Sequence, residues 1–380
     1  MRVAFVTETW YPSVDGVVTR LAATLDDLAR MGHETLVVAP DGEGDPRGAV
    51  TVPSIGFPFL AQGKPWGLPW TRRVGEALDR FRPDLVHVVN PFVLGINGVR
   101  AARRRGLPIV ASFHQDIAAV AAHYHLGFLG PLIWAHVRHQ HAPAALNLAT
   151  SRAVLSELEA HGVGPVRLWP YGVDTERFHP GRRAPRRDPD QPVTALYVGR
   201  LAPEKDLDRL LPLAHTPGVR LVLVGDGPLR GRLERAGRGG DVQFRGWLGG
   251  DDLVEAYAEA DVFVFPSTTE TLGMVLIEAM ACGVPVIAAE SPTSAEILGG
   301  TPSGVLLGAG GWDRLGSVVL DVGAPGPEWH ERSTAASARA RAWSWTRSTE
   351  TLAGYYDDVL AAGPAVLPAR PPVERRAETG

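Results

Sequence analysis

Two carboxylates eight positions apart, Glu270 and Glu278, form the most specific chemical pattern in this sequence. They lie in the segment PSTTETLGMVLIEAMACGVPVI. The preceding apolar run Asp261–Phe265 predicts a buried strand, and Gly273 is expected to open a helix that runs to Ala281. Glu270 would then lie in the strand-to-helix loop, and Glu278 would lie ~12 Å further along at 1.5 Å per residue.

The start of this helix predicts an anion site. Backbone amides of Gly273, Met274 and Val275 would point out of the helix N-terminus, where the peptide dipoles also favour negative charge. A diphosphate held there would have Glu270 on its sugar side and Glu278 on its ribose side. A capping acid and a solvated helix charge are the simpler interpretations of the two carboxylates, and the flanking pattern favours the functional one.

Two cations are expected at the carboxyl end of another strand. Arg200 and Lys205 follow the apolar run Val193–Val198. Of 38 basic residues only Lys64 and Lys205 are lysine, so this retained lysine suggests a specific task. Arginine binds phosphate oxygens bidentately and lysine supplies a compact charge, whereas surface charges at a helix start are the alternative.

Four further residues lie where strands end, which is where open parallel sheets bind ligands. His114 ends the run Pro108–Phe113, and Gly16 follows the first strand and a Trp-Tyr-Pro turn. Gly225 lies in a Gly-Asp-Gly turn, and Trp247 follows the short run Val242–Phe244. A glycine allows close approach of backbone to a phosphate. For Trp247, stacking on a base and ordinary packing are equally favoured.

Apolar runs alternate with amphipathic segments along the chain, which predicts an α/β fold with parallel sheets covered on both faces. The remaining predicted strands are Val3–Thr7, Thr35–Ala39, Asp84–Val89, Ala144–Ala149, Val219–Val224 and Pro285–Ala288. We expect two domains, at residues 1–178 and 193–342, joined by a Pro- and Arg-rich linker at 179–192. A helix at 343–362 and a disordered tail at 363–380 would follow.

Together these motifs resemble retaining glycosyltransferases of family 4, in particular phosphatidylinositol-type mannosyltransferases and sulfoquinovosyltransferases. The resemblance covers most of the chain and includes TETWYP, YGVD and GRLAPEK, which begin at residues 7, 171 and 199. It implies a GT-B fold, in which two Rossmann-like domains face each other across a cleft and the last helix returns to the first domain. Where the family usually has Asn before Gly-Val-Asp, this chain has Tyr171.

The resemblance also implies roles. Glu270 would stabilise charge on the sugar, His114 would contact that sugar, and Arg200 and Lys205 would neutralise the leaving diphosphate. Those four are the expected catalytic residues. The expected donor-binding residues are Gly16, Gly225, Trp247, Gly273, Met274, Val275 and Glu278.

The predicted substrates are a UDP- or GDP-linked sugar and a hydroxyl acceptor, either a lipid or a small natural product. We expect no cofactor and no metal, because cations and helix amides would do the work of a metal. Six histidines fall between 114 and 141, but without a zinc-binding pattern. A sugar-nucleotide epimerase, a phosphorylase and a non-catalytic sensor are alternatives. A nicotinamide oxidoreductase would need a GxGxxG motif after the first strand, and the sequence has none there.

Composition sets further bounds. The net charge of −4 and pI near 6.3 argue against nucleic acid as a partner. One cysteine, Cys282, and the lack of a long apolar run predict a cytoplasmic protein, at most peripheral at the inner membrane face. The aromatic loop Gly56–Trp70 would either cap an acceptor or dip into a membrane surface.

Overall fold

Two parallel β-sheets organise the protein, for which a computed structural model describes residues 1–12, 15–40, 47–56, 65–67, 72–114, 127–183 and 191–363. The first sheet has the order β3-β2-β1-β6-β7-β8-β9 and the second the order β12-β11-β10-β13-β14-β15. In both sheets the strand order reverses beside the first strand, at β1/β6 and at β10/β13. Such switch points open crevices at the carboxyl ends of the strands.

The strands β1 to β9 are Arg2–Thr7, Glu34–Pro40, Val50–Val52, Ser54–Gly56, Pro65–Gly67, Leu85–Val89, Ile109–Phe113, Leu146–Ala149 and Val166–Leu168. The strands β10 to β15 are Val193–Val198, Val219–Val224, Val242–Gly246, Val262–Phe265, Val286–Ala289 and Gly304–Leu307. All ten predicted strands are present. The sequence missed β3, β9 and β15 at the sheet edges, where the strands are short and only partly buried.

The helices α1 to α12, numbered among the described residues, are Gly16–Arg30, Arg73–Phe81, Leu94–Arg104, Gly130–His141, Arg152–Ala160, Arg230–Ala236, Gly250–Glu259, Met274–Ala281, Pro292–Leu298, Leu315–Gly323, Pro327–Ala340 and Trp345–Ala361. After β10 the chain forms two 3-10 helices, Pro203–Lys205 and Leu207–His215, instead of an α-helix. Asp206 has a left-handed backbone with φ of 51°, and Pro212 lies inside the second turn, so both interrupt an α-helical ladder.

The predicted return of the last helix to the first domain is confirmed. Leu352, Tyr356 and Val359 of α12 are buried in the same core as Phe5 of β1. The two chain crossings between the sheets lie side by side, because the Val173 amide donates to the Trp343 carbonyl over 2.9 Å. The predicted domain boundaries themselves stay predictions.

The aromatic loop is described only in part. Ser54–Gly56 pairs antiparallel with Pro65–Gly67, so this segment contains a short hairpin that its sequence pattern did not indicate. Residues 57–64 and 68–71, including Lys64, lie outside the described residues, as do His123, His125, residues 184–190 of the linker and the tail from 364. Within the described part of the chain, no helix is both long and apolar enough to cross a membrane.

Candidate functional site

The switch point of the second sheet brings Lys205 and Glu270 together. Because β10 and β13 are neighbours, the segments that follow them meet at one edge, and Lys205 Nζ lies 2.9 Å from Glu270 Oε2. Each side chain is 20% exposed, so both face the crevice without being fully solvated. Burial alone would raise the pKa of Glu270. Lys205 and the backbone amides of Leu272 and Gly273 outweigh that effect and hold the pKa below its ordinary value.

Arg200 lies in the same segment and is paired with a residue that the sequence did not single out. Its guanidinium bonds to the Glu204 carboxylate, and the Arg200 side chain stays 27% exposed. Burial tends to raise the pKa of Glu204, but the bond from Arg200 reverses this and the pKa is lowered. Two cations, Arg200 and Lys205, therefore follow β10 with the acid Glu204 between them. Both cations lie near the crevice, and each is paired with a carboxylate.

Glycines allow the neighbouring strand ends to pack backbone against backbone. Gly225 has a φ of +128°, and a Cβ at this position would lie 1.9 Å from the Gly199 carbonyl oxygen. The Gly225 amide also donates to the Gly246 carbonyl over 2.7 Å. No other residue fits at position 225 without movement of the main chain, so the turn fixes the wall of the crevice.

Helix α8 begins beside the ion pair, as predicted. Gly273 has a left-handed φ of 65°, and a Cβ there would lie 2.5 Å from Ile297 Cδ1. The first intrahelical bonds run from Leu276 and Ile277 to the Gly273 carbonyl, so the Met274 and Val275 amides precede the helical ladder. This end of the helix can therefore offer main-chain donors to an anion.

Gly16 of the first domain faces this helix start. A Cβ on Gly16 would lie 3.3 Å from Met274 Sδ, which is tighter than an ordinary contact. Asp15 holds α1 in place, since its Oδ1 accepts from the Val17 and Val18 amides at 2.9 Å. The two domains thus approach closely where the donor-binding residues were predicted.

Glu278 lies inside α8 and contacts a buried tyrosine. Its Oε2 accepts from the Tyr257 hydroxyl at 2.8 Å, and the residue is 8% exposed. Burial raises the pKa of Glu278 to about 7, against the opposing effects of Tyr257 and Arg177. Near neutral pH Glu278 is therefore protonated more readily than Glu270, although one motif carries both. Tyr257 had no distinguishing signal, because its position matches the apolar face of α7.

His114 directly follows β7 and is almost completely buried, with 4% of its surface exposed. Its Nε2 lies 2.8 Å from Ser112 Oγ, and its ring packs edge-on against Trp169. Burial, followed by the nearby Arg20 charge and by His87, lowers the pKa of His114 well below its ordinary value. The imidazole is therefore neutral.

Thr271 joins this histidine to the Glu270 loop across the domains. Its hydroxyl donates to the His114 carbonyl over 2.8 Å, and its own carbonyl accepts from the Thr150 hydroxyl at 3.2 Å. The residue follows Glu270 directly, but nothing in the sequence indicated that it would contact the first domain.

Trp247, His136 and His141 have neighbours other than the residues described above. The Trp247 ring is 63% exposed and covers Gly249, so it is not part of the core. His136 contacts the Phe92 carbonyl and His141 contacts Asn147. Among the described residues, no group of three or more His, Cys, Asp or Glu side chains is arranged to hold a metal.

Comparison with known proteins identifies the family of both halves. Residues 14–177 match the model described as Glycosyltransferase Family 4, and residues 182–322 match Glycosyl transferases group 1. A GDP-mannose-dependent alpha-mannosyltransferase of Mycobacterium tuberculosis is 39% identical over 376 residues, which cover 94% of this chain and 97% of that protein. A sulfoquinovosyl transferase of Arabidopsis thaliana is 34% identical over 77% of this chain and 60% of that protein.

A solved structure shows the same fold. The HepE protein of Anabaena, crystallised with UDP and glucose, superposes with a TM-score of 0.73 at 20% identity, over 94% of this chain and 100% of that one.

The raised pKa of Glu278 predicts a pH-dependent gain in stability for Glu278→Gln. A folded-state pKa of about 7, against 4.5 for the ordinary group, favours the folded protein below pH 4.5, and this advantage is lost as pH rises through 7. The Gln side chain of the variant cannot ionise, so the variant avoids this loss of stability, which amounts to up to about 3 kcal/mol. The unfolding midpoint of Glu278→Gln should therefore exceed that of the wild type at pH 8.5, and the gap should shrink at pH 5.

Glu255→Gln on the exposed face of α7 is the matched control, because it makes the same change in solvent. Thermal unfolding of the three proteins from pH 5 to pH 8.5 measures the effect. Equal pH profiles for the wild type and Glu278→Gln would contradict a raised pKa.

Proposed function

This chain belongs to glycosyltransferase family 4, and we propose that it moves a sugar from a nucleotide donor to an acceptor hydroxyl with retention of anomeric configuration and without a metal ion. The observation that supports this most is the Lys205–Glu270 pair at the switch point, beside the start of α8. Cations, an ionised carboxylate and the first main-chain amides of α8 then lie around one position. A diphosphate sugar has the complementary charges.

The proposed donor pose follows from those charges. The diphosphate lies at the Met274 and Val275 amides, with Arg200 and Lys205 against its oxygens. Both cations already have carboxylate partners in the unliganded protein, so donor binding exchanges part of that pairing for phosphate contacts. Glu278 accepts from ribose hydroxyls, Trp247 lies on the base side, and the turns at Gly16 and Gly225 form walls of the donor pocket.

The chemical step needs charge stabilisation more than a nucleophile. As the bond between the anomeric carbon and the diphosphate oxygen breaks, positive charge grows on the sugar and negative charge grows on the leaving group. Ionised Glu270 stabilises the first charge, and Arg200, Lys205 and the helix amides stabilise the second. The acceptor oxygen bonds to the same face of the sugar, and its proton passes to the departing diphosphate. Glu270, bound to Lys205 and to main-chain amides, is a poor nucleophile.

We propose GDP-mannose as the first donor to test, because the relative that is 39% identical is named for it. UDP-sugars remain the second class. The acceptor is proposed to be a hydroxyl of a lipid or of a small natural product.

A donor panel followed by acceptor screening tests the function. Calorimetry with GDP-mannose and UDP-sugars should reveal binding of one class, and labelled sugar should then pass to a lipid extract or to small hydroxylated compounds. NMR of the product should show the same anomeric configuration as the donor. Inverted product would exclude the retaining mechanism, and donor isomerisation without any acceptor would indicate an epimerase instead.

Glu270 and Glu278 are predicted to separate catalysis from binding. Glu270→Gln keeps size and hydrogen bonding but removes the charge, so kcat should fall by ~10²-fold while affinity for the nucleoside diphosphate stays constant. Glu278→Gln should weaken binding of the nucleoside diphosphate as much as binding of the nucleotide sugar. Calorimetry and initial rates measure both, with Glu255→Gln again as the control. Equal loss of nucleotide affinity in both variants would refute this division of roles.

Metal independence is the remaining expectation. Initial rates in excess EDTA should equal those in untreated buffer, because Arg200, Lys205 and the α8 amides carry the compensating charge. Activity that disappears with EDTA and returns with magnesium or manganese would show that a metal is required.

A further inference from the structure

A line of four buried polar side chains crosses the core of the first domain, from His114 to the last helix. His114 Nε2 lies 2.8 Å from Ser112 Oγ, and the same oxygen lies 2.8 Å from His87 Nε2. His87 Nδ1 in turn lies 2.6 Å from the Tyr356 hydroxyl of α12. Ser112, His87 and Tyr356 are fully buried, and His114 is 4% exposed. We call these four residues the buried chain.

Both imidazoles of the buried chain are neutral. Burial and the charge of Arg20 lower the pKa of His87 to about 3. Arg20 itself is fully buried, with its guanidinium 3.9 Å above the Trp169 ring that His114 and His87 also contact. A neutral imidazole has one donor nitrogen and one acceptor nitrogen, so the buried chain can carry its protons in two consistent directions; in a third arrangement both imidazoles donate to Ser112 Oγ and the Ser112 proton is left unpaired.

In the first direction, Tyr356 donates to His87 Nδ1, His87 Nε2 donates to Ser112, and Ser112 donates to His114 Nε2. His114 then carries its proton on Nδ1. In the second direction every bond is reversed, His114 Nδ1 is a bare acceptor, and the Tyr356 hydroxyl proton has no acceptor among the described residues.

The location of the unpaired proton separates the two directions. The first leaves an unpaired N–H on His114, and Nδ1 is indeed a buried atom without a partner in the described part of the chain. The second leaves an unpaired O–H on Tyr356, and the third leaves an unpaired O–H on Ser112; both hydroxyls are deep in the core. A buried donor without an acceptor is costly. Only the His114 end lies beside the cleft: the Thr271 hydroxyl binds its carbonyl, and His114 keeps 4% of its surface exposed whereas Ser112 and Tyr356 keep none.

We propose that Tyr356 of the last helix, acting through His87 and Ser112, holds His114 in the Nδ1–H tautomer, so that His114 donates a hydrogen bond to an oxygen of the transferred sugar. Tyr356, His87 and Ser112 are thus positioning residues. The inference rests on the proposed function for the sugar contact, whereas the tautomer itself is a property of the unliganded protein.

The tautomer can be measured without any substrate. In ¹⁵N-histidine-labelled wild-type protein, with His114 assigned by comparison with His114→Ala, the ring should show a protonated Nδ1 and an unprotonated Nε2. The reverse pattern, or an equal mixture, would overturn the proposal. The tautomer measurement can be made even if no glycosyl transfer is detected. A wrong tautomer and a wrong proposed function are therefore distinguishable results.

Tyr356→Phe removes only the hydroxyl that starts the chain. We expect a mixed His114 tautomer and unchanged affinity for the nucleoside diphosphate. We also expect kcat to fall by about fivefold, which is the effect of losing one neutral hydrogen bond. Tyr355→Phe is the matched control, because it removes a neighbouring hydroxyl that is not part of the buried chain and donates to the Leu168 carbonyl instead. This control should leave the tautomer and kcat unchanged.

A double-mutant cycle separates positioning from general destabilisation. In a His114→Ala background, Tyr356→Phe should have no further effect on kcat, because the group that it positions is gone. A Tyr356→Phe protein with wild-type kcat and a pure Nδ1–H tautomer would overturn the proposal. An equal fall in kcat with and without His114 would also overturn it, since a merely structural role produces that result.

Discussion

A charged carboxylate that is mostly shielded from water must be compensated, and this requirement organises the candidate site. Glu270 is compensated by Lys205 at 2.9 Å and by main-chain amides at the start of α8. Those groups can meet only where β10 and β13 lie side by side. Sheet order, the turns after both strands and the left-handed backbone at Gly273 all serve that one pairing. The same groups suit a diphosphate next to a sugar that is becoming cationic.

The second carboxylate of the motif has a neutral hydrogen-bond partner instead of a cation. Glu278 is held by a neutral hydroxyl, that of Tyr257, and burial raises its pKa to about 7. Two acids eight residues apart are thus driven in opposite directions by their surroundings. A carboxylate that stays ionised suits charge stabilisation, whereas the role proposed for the one held by a hydroxyl is to bind the ribose.

The first domain contributes shape and polarity. Gly16 lets the first domain approach the start of α8 closely, and Thr271 joins the Glu270 loop to His114. Behind His114, the buried chain runs through two strands to α12. This helix returns to the first domain only after the polypeptide has completed the second sheet. The last helix therefore fills the core and also fixes the protons of a cleft residue.

The sequence by itself determined the ten main strands, the loop position of Glu270, the helix start at Gly273 and the two cations after β10. Each of these depends on neighbours along the chain: apolar periodicity, a glycine that permits a left-handed turn, or a charge next to a strand end. Tertiary structure decided the pairings. Lys205 lies 65 residues before Glu270, Tyr257 lies 21 before Glu278, and Tyr356 lies 269 after His87. Strand order and the path of the last helix create these contacts, and local periodicity carries no information about which distant segments become neighbours.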